Sequence, residues 1–564
     1  MGMNRHFSQS TATGRSRRSR IVLAILMTIF IAPLAGATQP PAECIAATID
    51  DVLTTHPSAH RQQALRELYG RHDWQPAWLE TARADQRLGP LIELLENASR
   101  HGLDPNRYHT GELRLCADAT RPEHLARLDV LLSDALLRYS RDQRTGEADL
   151  SRLDRQWHHN PPQFNAVDYV DALARQSDPV LQLAALPPPH EGYLRLSEAL
   201  QELERKRDAG LDWPPVPDGP LLEAGDTHPQ LATLRERLAR EGFENLPAPA
   251  QAPEFFDAAL ADALQAAQRR LGVAADGVLG PATRRALNRT LSERIEQVRL
   301  NMDRWRWLPD DPGARYILVN LARFRLDLIE NGESVLTQKV IVGKPYLSTP
   351  AFAGNMTYLV FNPYWEIPPN LGRRSVVPKQ LENPDYFSDA GIEILSGWSR
   401  DAQRIPLEEA DLKAHQQKEK HYRLRQAPGP KNALGKVKFM FPNEFNVYLH
   451  DTPERDLFNR DVRSFSSGCV RVEDPLTLAQ QILGVQGMSP AAVAARFDGG
   501  PDQTVVLKEP LPVYLGYWTA WVDEDGRLVY ADDIYGRDEK VLANRYAQDE
   551  LSGQSTSPQA ITQP

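Results

Sequence analysis

Apolar positions change their period twice along the chain. From residue 41 to about 225 they recur at helical spacing. Gln62–Tyr69 is followed by Trp74 and Trp78, both read as core rather than ligand-site aromatics. Leu91, Leu94, Leu95 and Ala98 form one stripe, stopped by Gly102-Leu103-Asp104-Pro105. Leu128, Leu131, Leu132, Ala135 and Leu136 mark the next helix. The proline-rich stretch from Ala184 to Pro220 is expected to be a connection. A second helical unit is expected over 226–295. From about 314 the pattern becomes strand-like: Tyr316–Asn320, Arg323–Leu328, Gln338–Val342 and Thr357–Phe361 alternate or run apolar. Asn331-Gly332 predicts a hairpin turn between two of these runs. Residues 371–435 break the pattern with charged helix formers, as in Leu407 to Tyr422, and strand-like text resumes at Val437. Such an insertion predicts a helical cap or lid. The β-rich unit is expected to span 314–510, with an extension over 511–545 and a polar, disordered tail over 546–564.

Length and composition agree with several domains. The chain has 564 residues, of which 41% are hydrophobic and 25% charged. The net charge of -10 gives no general support for a nucleic-acid partner. No Asp or Glu precedes Glu43, and Arg15, Arg17, Arg18 and Arg20 stand before the apolar run Ile21–Ala32. Ala35-Gly36-Ala37 then supplies a small-x-small pattern, so residues 1–37 read as a secretory signal. The Arg17-Arg18 pair points weakly to the twin-arginine route. The alternative is an uncleaved membrane anchor, although the run is short of the ~20 residues a spanning helix needs. Both readings place the body of the chain outside the cytoplasm.

The sequence holds three cysteines: Cys44, Cys116 and Cys469. In an oxidising compartment Cys44 and Cys116 are expected to pair, leaving Cys469 free. No Cys-x-x-Cys or His-Glu-x-x-His occurs, which disfavours a zinc site, and no cofactor is expected. Cys469 stands in Ser464-Phe465-Ser466-Ser467-Gly468-Cys469-Val470-Arg471-Val472, shortly after Val447-Tyr448-Leu449-His450-Asp451-Thr452-Pro453. A thiol needs a base to become a nucleophile near neutrality, and a nearby imidazole supplies one. Cys469 and His450 are therefore the candidate catalytic pair. His415 and His421 fall in the polar insertion and are expected to be solvated. Gly468 and Ser467 are candidates for supporting an oxyanion through the loop backbone. Tyr448, two residues from His450 on a strand, faces the same side and is expected to line the site. Arg471 reads equally as a fork for a substrate carboxylate or as a structural ion pair. Trp365 reads as a groove wall, a core tryptophan being the alternative. Thr452 is grouped with the substrate-binding residues.

His-x-Thr followed by Ser-x-Gly-Cys-x-Arg resembles the signature of YkuD-type L,D-transpeptidases. The stretch Lys438–Asn443, His450–Pro453 and Leu457-Phe458 is similar to the large YcbB subgroup. Many members carry His where this chain has Ser467, and smaller ones Gly where it has Asp451. The stretch Leu264–Thr283, with Gln268, Gly272, Asp276-Gly277, Gly280 and Thr283, resembles the three-helix peptidoglycan-binding module. Where such modules carry an aromatic residue, this chain has Ala267.

The resemblance implies a helical scaffold over 41–225, a peptidoglycan-binding-like module over 226–295 and a β-sandwich-like catalytic domain with an inserted helical cap. It implies a cysteine-dependent transferase in the periplasm. Cys469 would take the acyl group of a tetrapeptide stem, release D-alanine and pass the acyl group to a neighbouring stem as a 3-3 cross-link. Carbapenems would acylate Cys469. Peptidoglycan is the expected partner, with inner-membrane tethering and other cell-wall synthesis proteins as further expectations. The alternatives are an L,D-carboxypeptidase and a non-catalytic wall-binding scaffold.

Overall fold

The computed structural model describes residues 42–54, 58–79, 84–117, 121–211, 213–243 and 253–543. The expected signal and the polar tail lie outside the described residues. Within them no helix is long and apolar enough to cross a membrane.

The first core is helical. It packs around the long helix Pro122–Thr145, whose Leu128, Leu131, Leu132, Ala135 and Leu136 are all buried. Leu65, Leu68 and Tyr69 of helix Ala59–Arg71 and Leu91, Ile92 and Leu95 of helix Ala84–Glu96 close it. Trp78 is core, as expected, and Trp74 packs at its edge. Buried Asp129 accepts hydrogen bonds from the Tyr69 hydroxyl (2.5 Å) and the backbone N–H groups of Ala77, Trp78 and Leu79 (2.9–3.1 Å). That one carboxylate satisfies a turn which would otherwise bury unpaired donors.

The stretch Ala184–Pro220 is not merely a connection. It contains the helix Glu191–Asp208, which buries Tyr193, Leu196, Leu200 and Leu203 at helical spacing. These residues join the second core, with Leu234 and Leu238, Leu260, Leu264 and Leu271, and Ile295, Val298 and Met302. The second core therefore begins at Tyr193, ahead of residue 226. The resembling motif of the second unit is structural. The Gln268 side chain donates to Asp276 Oδ1 (2.8 Å), the Val278 carbonyl (3.0 Å) and Thr283 Oγ1 (3.0 Å), and accepts from Gly277 N (2.8 Å). Ala267 is fully buried, so the position faces the core and not a ligand.

Helix Leu291–Arg306 carries this unit past residue 295 and ties the parts together. Arg306 Nε donates to the Gln143 carbonyl (3.1 Å) and Trp307 Nε1 to the Thr145 carbonyl (2.7 Å), both in the first unit. Arg304 pairs with Asp538 at 2.7 Å on the C-terminal side.

The remaining chain is strand-rich. Its strands are β1 (Arg315–Asn320), β2 (Arg325–Glu330), β3 (Glu333–Gly343), β4 (Phe352–Phe361), β5 (Trp365–Glu366), β6 (Ile392–Leu395), β7 (Arg404–Ile405), β8 (Arg423–Gln426), β9 (Val437–Met440), β10 (Leu449–His450), β11 (Ser464–Ser466), β12 (Val470–Val472), β13 (Gln503–Gly516), β14 (Ala520–Val522) and β15 (Leu528–Tyr530). Asn331 (φ 50°) and Gly332 (φ 88°) make the expected tight turn between β2 and β3. The main sheet runs β11-β3-β12-β10-β9-β4-β13-β1-β2, and β2 pairs with β3 again. Long β3 thus pairs with β2 through its first half and with β12 and β11 through its second, and the sandwich-like sheet closes on itself. Val319, Leu326, Val340, Leu359, Phe439, Leu449, Val470 and Val513 fill the interior. β13 crosses residue 510, so the expected boundary there cuts a barrel strand. β14 and β15 form a hairpin whose Ala520 and Tyr530 enter the second helical core.

The cap is not simply helical. It is a four-stranded sheet, β5-β8-β6-β7, with short helices Val377–Glu382, Tyr386–Ala390 and Leu412–Gln416, and it begins at Trp365. Its charged residues alternate with apolar ones. Leu424, Ile392 and Ile394 enter a small core with Ile367, Val377 and Phe387, while Arg425 pairs with Glu393 at 2.8 Å. Period two, not helix propensity, won there.

The Cys44–Cys116 disulfide is not formed: Cys44 is a free, half-buried cysteine. The helices Ala42–Thr54 and Thr110–Cys116, which carry the two residues, both pack on Pro122–Thr145. Sharing a support does not give the short Cβ separation and alignment a disulfide requires. The Cys116 side chain lies outside the described residues.

Candidate active site

The site is built by strand register. β10 pairs in parallel with β12, Leu449 opposite Val470 and His450 opposite Arg471. β10 pairs antiparallel with β9, His450 opposite Lys438. Leu449 and Val470 point into the barrel and are fully buried. Alternation then puts Tyr448, His450, Cys469, Arg471 and Lys438 on the other face. They line a cavity of about 610 Å³ between barrel and cap. Trp365, Glu366, Pro368, Pro369 and Leu371 supply the cap-side wall. Trp365 and Tyr448 both line this cavity.

His450 Nδ1 lies 2.5 Å from the Asp451 carbonyl oxygen. A carbonyl only accepts, so Nδ1 carries the proton and Nε2 keeps its lone pair. Burial, then the nearby Arg471, push the His450 pKa down to about 3, so the imidazole is neutral. Asp451 fixes the chain beyond it. Its carboxylate accepts from the backbone N–H of Lys436 (2.7 Å) and of Thr452 (2.6 Å) and pairs with Arg455 at 3.2 Å. Gly435, at φ 60°, lets that carboxylate approach: a Cβ there would meet it at 2.3 Å. This is work that glycine at position 451 could not do. Thr452 does not line the cavity; its hydroxyl accepts from Glu454 N (3.2 Å) and shapes the turn.

Cys469 sits in the bend before β12, with Sγ 3.7 Å from the Asn446 carbonyl. Burial pushes its thiol pKa up. Hydrogen bonds from the Tyr448 backbone N–H and hydroxyl, and the cations Lys438 and Arg471, pull it part of the way back. The Tyr448 hydroxyl stays protonated, because burial and the neighbouring sulfur raise its pKa well above 10. The resting pair is therefore a neutral thiol beside a neutral imidazole.

Gly468 adopts φ 119°, a conformation that strains other residues. Its N–H, expected to face an oxyanion, donates instead to Ser466 Oγ at 3.1 Å. Ser466 Oγ in turn donates to the Cys469 carbonyl at 2.5 Å. Among the described residues the Cys469 N–H has no hydrogen-bond acceptor, and exposed Ser467 lines the cavity. These two remain the candidates for oxyanion support. Arg471 lines the cavity and pairs there with Glu454. His415 is buried in the cap and stacks on Tyr422, contrary to expectation, because its Nδ1 accepts from Tyr422 N at 3.0 Å. His421 is exposed.

Lys438 was not legible as a site residue. Its Nζ stands 4.1 Å from the centre of the Tyr448 ring, and the Cys469 sulfur is the first of the charges that favour its ammonium form. Replacing it by methionine should raise the pH at which Cys469 reacts with iodoacetamide. At pH 7.5 the alkylation rate should fall about tenfold, one pH unit of thiol ionisation. An unchanged pH profile would remove Lys438 from the thiol's electrostatics.

Residues 314–507 match the family described as the L,D-transpeptidase catalytic domain, YkuD. Residues 63–200 match the scaffold domain and 227–287 the "Putative peptidoglycan binding domain". A Haemophilus influenzae protein named "Putative L,D-transpeptidase" is 34% identical over 252 residues, 44% of this chain and 50% of the relative. The match spans half the length of that relative. Two solved structures were also found. "Structure of the Ldtfm-avibactam carbamoyl enzyme" is 13% identical over 36% of this chain and 49% of that one, with TM-score 0.14. An L,D-transpeptidase from Xylanimonas cellulosilytica is 15% identical over 53% of this chain and 99% of that one, with TM-score 0.15. Scores so low carry no argument about the fold. The strand-rich unit is an L,D-transpeptidase catalytic domain. Scaffold, peptidoglycan-binding and YkuD-type domains thus follow one another in that order, which is the YcbB-like architecture.

Proposed function

We propose that this protein forms 3-3 peptidoglycan cross-links through a thioester on Cys469. The carrying observation is the shared cavity of Cys469 and His450, with the imidazole proton held on Nδ1 and Nε2 left free. The sulfur attacks the carbonyl of the third residue of a tetrapeptide stem as His450 Nε2 takes the thiol proton. The tetrahedral intermediate collapses, the bond to D-alanine breaks, and His450 returns the proton to the departing amine. A side-chain amine of a second stem then attacks the thioester and the thiol is restored. Stem peptide occupies the groove between barrel and cap, and the cap limits water that would otherwise hydrolyse the thioester. The reaction needs no metal or organic cofactor. Carbapenems acylate the same sulfur. Peptidoglycan is both donor and acceptor, and the protein works outside the cytoplasm, in the periplasm, exported by residues 1–37. Membrane tethering and contacts with other cell-wall synthesis proteins belong to the same reading.

Incubation with disaccharide-tetrapeptide, followed by mass analysis, tests this. A dimer lacking one D-alanine supports transpeptidation. Tripeptide monomer alone would identify an L,D-carboxypeptidase instead. Unchanged substrate would leave a wall-binding scaffold and overturn the proposal.

A further inference from the structure

The nucleophile loop has one side-chain anchor whose own supports reach both the first helical unit and the C-terminal segment. Thr349 is fully buried. Its Oγ1 donates to the Gly468 carbonyl at 2.8 Å and accepts from Gly343 N at 2.9 Å. Gly343 itself touches the loop: a Cβ there would lie 3.2 Å from Gly468 Cα and 2.1 Å from the Leu347 carbonyl oxygen. Of the loop's other bonds, Gly468 N to Ser466 Oγ and Ser466 Oγ to the Cys469 carbonyl are internal to it, while its two ends are held by backbone, the Ser466 carbonyl accepting from Lys344 N (3.0 Å) and Val470 N donating to the Tyr448 carbonyl (3.1 Å). Between those ends, Thr349 is the side chain that ties the backbone of Gly468, the residue before Cys469, to the end of β3.

Thr349 is in turn held from outside the barrel. Arg537, 2% exposed, donates from its guanidinium to the Thr349 carbonyl at 2.8 Å. That guanidinium lies over the rings of Tyr517 (4.7 Å) and Tyr535 (4.9 Å), and its Nε is 3.5 Å from Asp154 Oδ2. The Tyr535 hydroxyl donates to the Gly343 carbonyl at 2.7 Å and accepts from Thr349 N at 3.3 Å. Two residues on, Ala351 exchanges backbone hydrogen bonds with the first unit: its N–H donates to the Gln156 carbonyl (2.8 Å) and its carbonyl accepts from His158 N (2.7 Å). The His158 ring also packs at a tilt against Phe445, a wall of the cavity, with centroids 4.4 Å apart.

We propose that Thr349 is the positioning residue of the nucleophile loop. Arg537 and Asp154 hold it, so Cys469 is aligned only when helical scaffold, barrel and C-terminal segment are docked together. This rests on Cys469 being the nucleophile. It gives the scaffold a role in catalysis besides carrying the catalytic domain.

The test uses the full chain with Thr349→Val, Thr349→Ser and Asp154→Asn. Valine keeps the shape and removes the hydroxyl, while serine keeps the hydroxyl. Thr349→Val should lower kcat for dimer formation about 100-fold with KM little changed, the order expected for a reacting group displaced by ~1 Å. Thr349→Ser should restore kcat to within about threefold, and Asp154→Asn should lose about tenfold with KM kept. In parallel, the pH midpoint of iodoacetamide alkylation, read by mass on the Cys469 peptide, should rise in the valine variant and not in the serine variant. Wild-type kcat in Thr349→Val, or equal damage by valine and serine, would overturn the proposal. If the wild-type chain forms no dimer, the functional reading fails by itself, and the alkylation midpoints still decide the positioning role. If the valine variant does not fold, Asp154→Asn decides, and full kcat with an unmoved midpoint refutes it.

Discussion

Replacing Cys469 with alanine should reduce dimer formation to background, a loss of about 10⁴-fold or more, because no covalent intermediate can form. The same substitution should abolish any carbapenem adduct detectable by mass. The fold should survive. The sulfur's neighbours are the Tyr448 hydroxyl and backbone N–H, the Asn446 carbonyl and the open cavity, so its removal leaves solvent-accessible space rather than a sealed void. The loop's bonds run through Ser466, Gly468 and Thr349, none of which uses the thiol. A thermal midpoint within a few degrees of wild type, combined with lost turnover, is the expected pair of results. Dimer formed by a folded Cys469→Ala protein would end the nucleophile assignment.

His450→Ala should lower kcat by about 10²- to 10⁴-fold while KM for the tetrapeptide changes little, since general-base help is realised in the transition state. The wild-type pH profile carries a second, sharper expectation. The His450 pKa is pushed below its ordinary 6.5 to about 3, so the base stays neutral and competent as pH falls from 8 to 5. The rate should therefore show no histidine inflection near 6.5. An inflection between pH 6 and 7 that disappears in His450→Ala would show an imidazole less buried than this one. If His421→Ala proved the more damaging change, the base would lie in the cap.

The nearness of Cys469 to His450 and the hairpin at Asn331-Gly332 were legible because each follows from a local pattern. Gly468 beside Cys469 and a strand ending at His450 are written within a few residues of one another. The same is true of the Gln268–Thr283 motif, although its meaning changed: those side chains bond to each other and hold the module's turn. The cap's helix formers misled because charges on strands β6 and β8 pair across that small sheet, Arg425 with Glu393, while alternate residues fill its core. The helix Glu191–Asp208 was hidden by the prolines around it. The Cys44–Cys116 pairing was inferred from number and compartment, which say nothing about whether two Cβ atoms meet.

By itself the sequence determined the order of a helical part, a small module and a strand-rich part, and it singled out the thiol and the imidazole that share the cavity. Only the tertiary structure decided what surrounds them. Lys438 reaches the site through strand pairing across β9 and β10, Thr349 through a bond spanning 119 residues, and Asp154 through its ion pair with Arg537. Such contacts are set by how sheet and helices close on one another. The closing of β3 onto both β2 and β12 fixes register, and register fixes which side chains share the cavity. No local pattern encodes that closure, because its free energy comes from burying apolar faces that lie far apart along the chain.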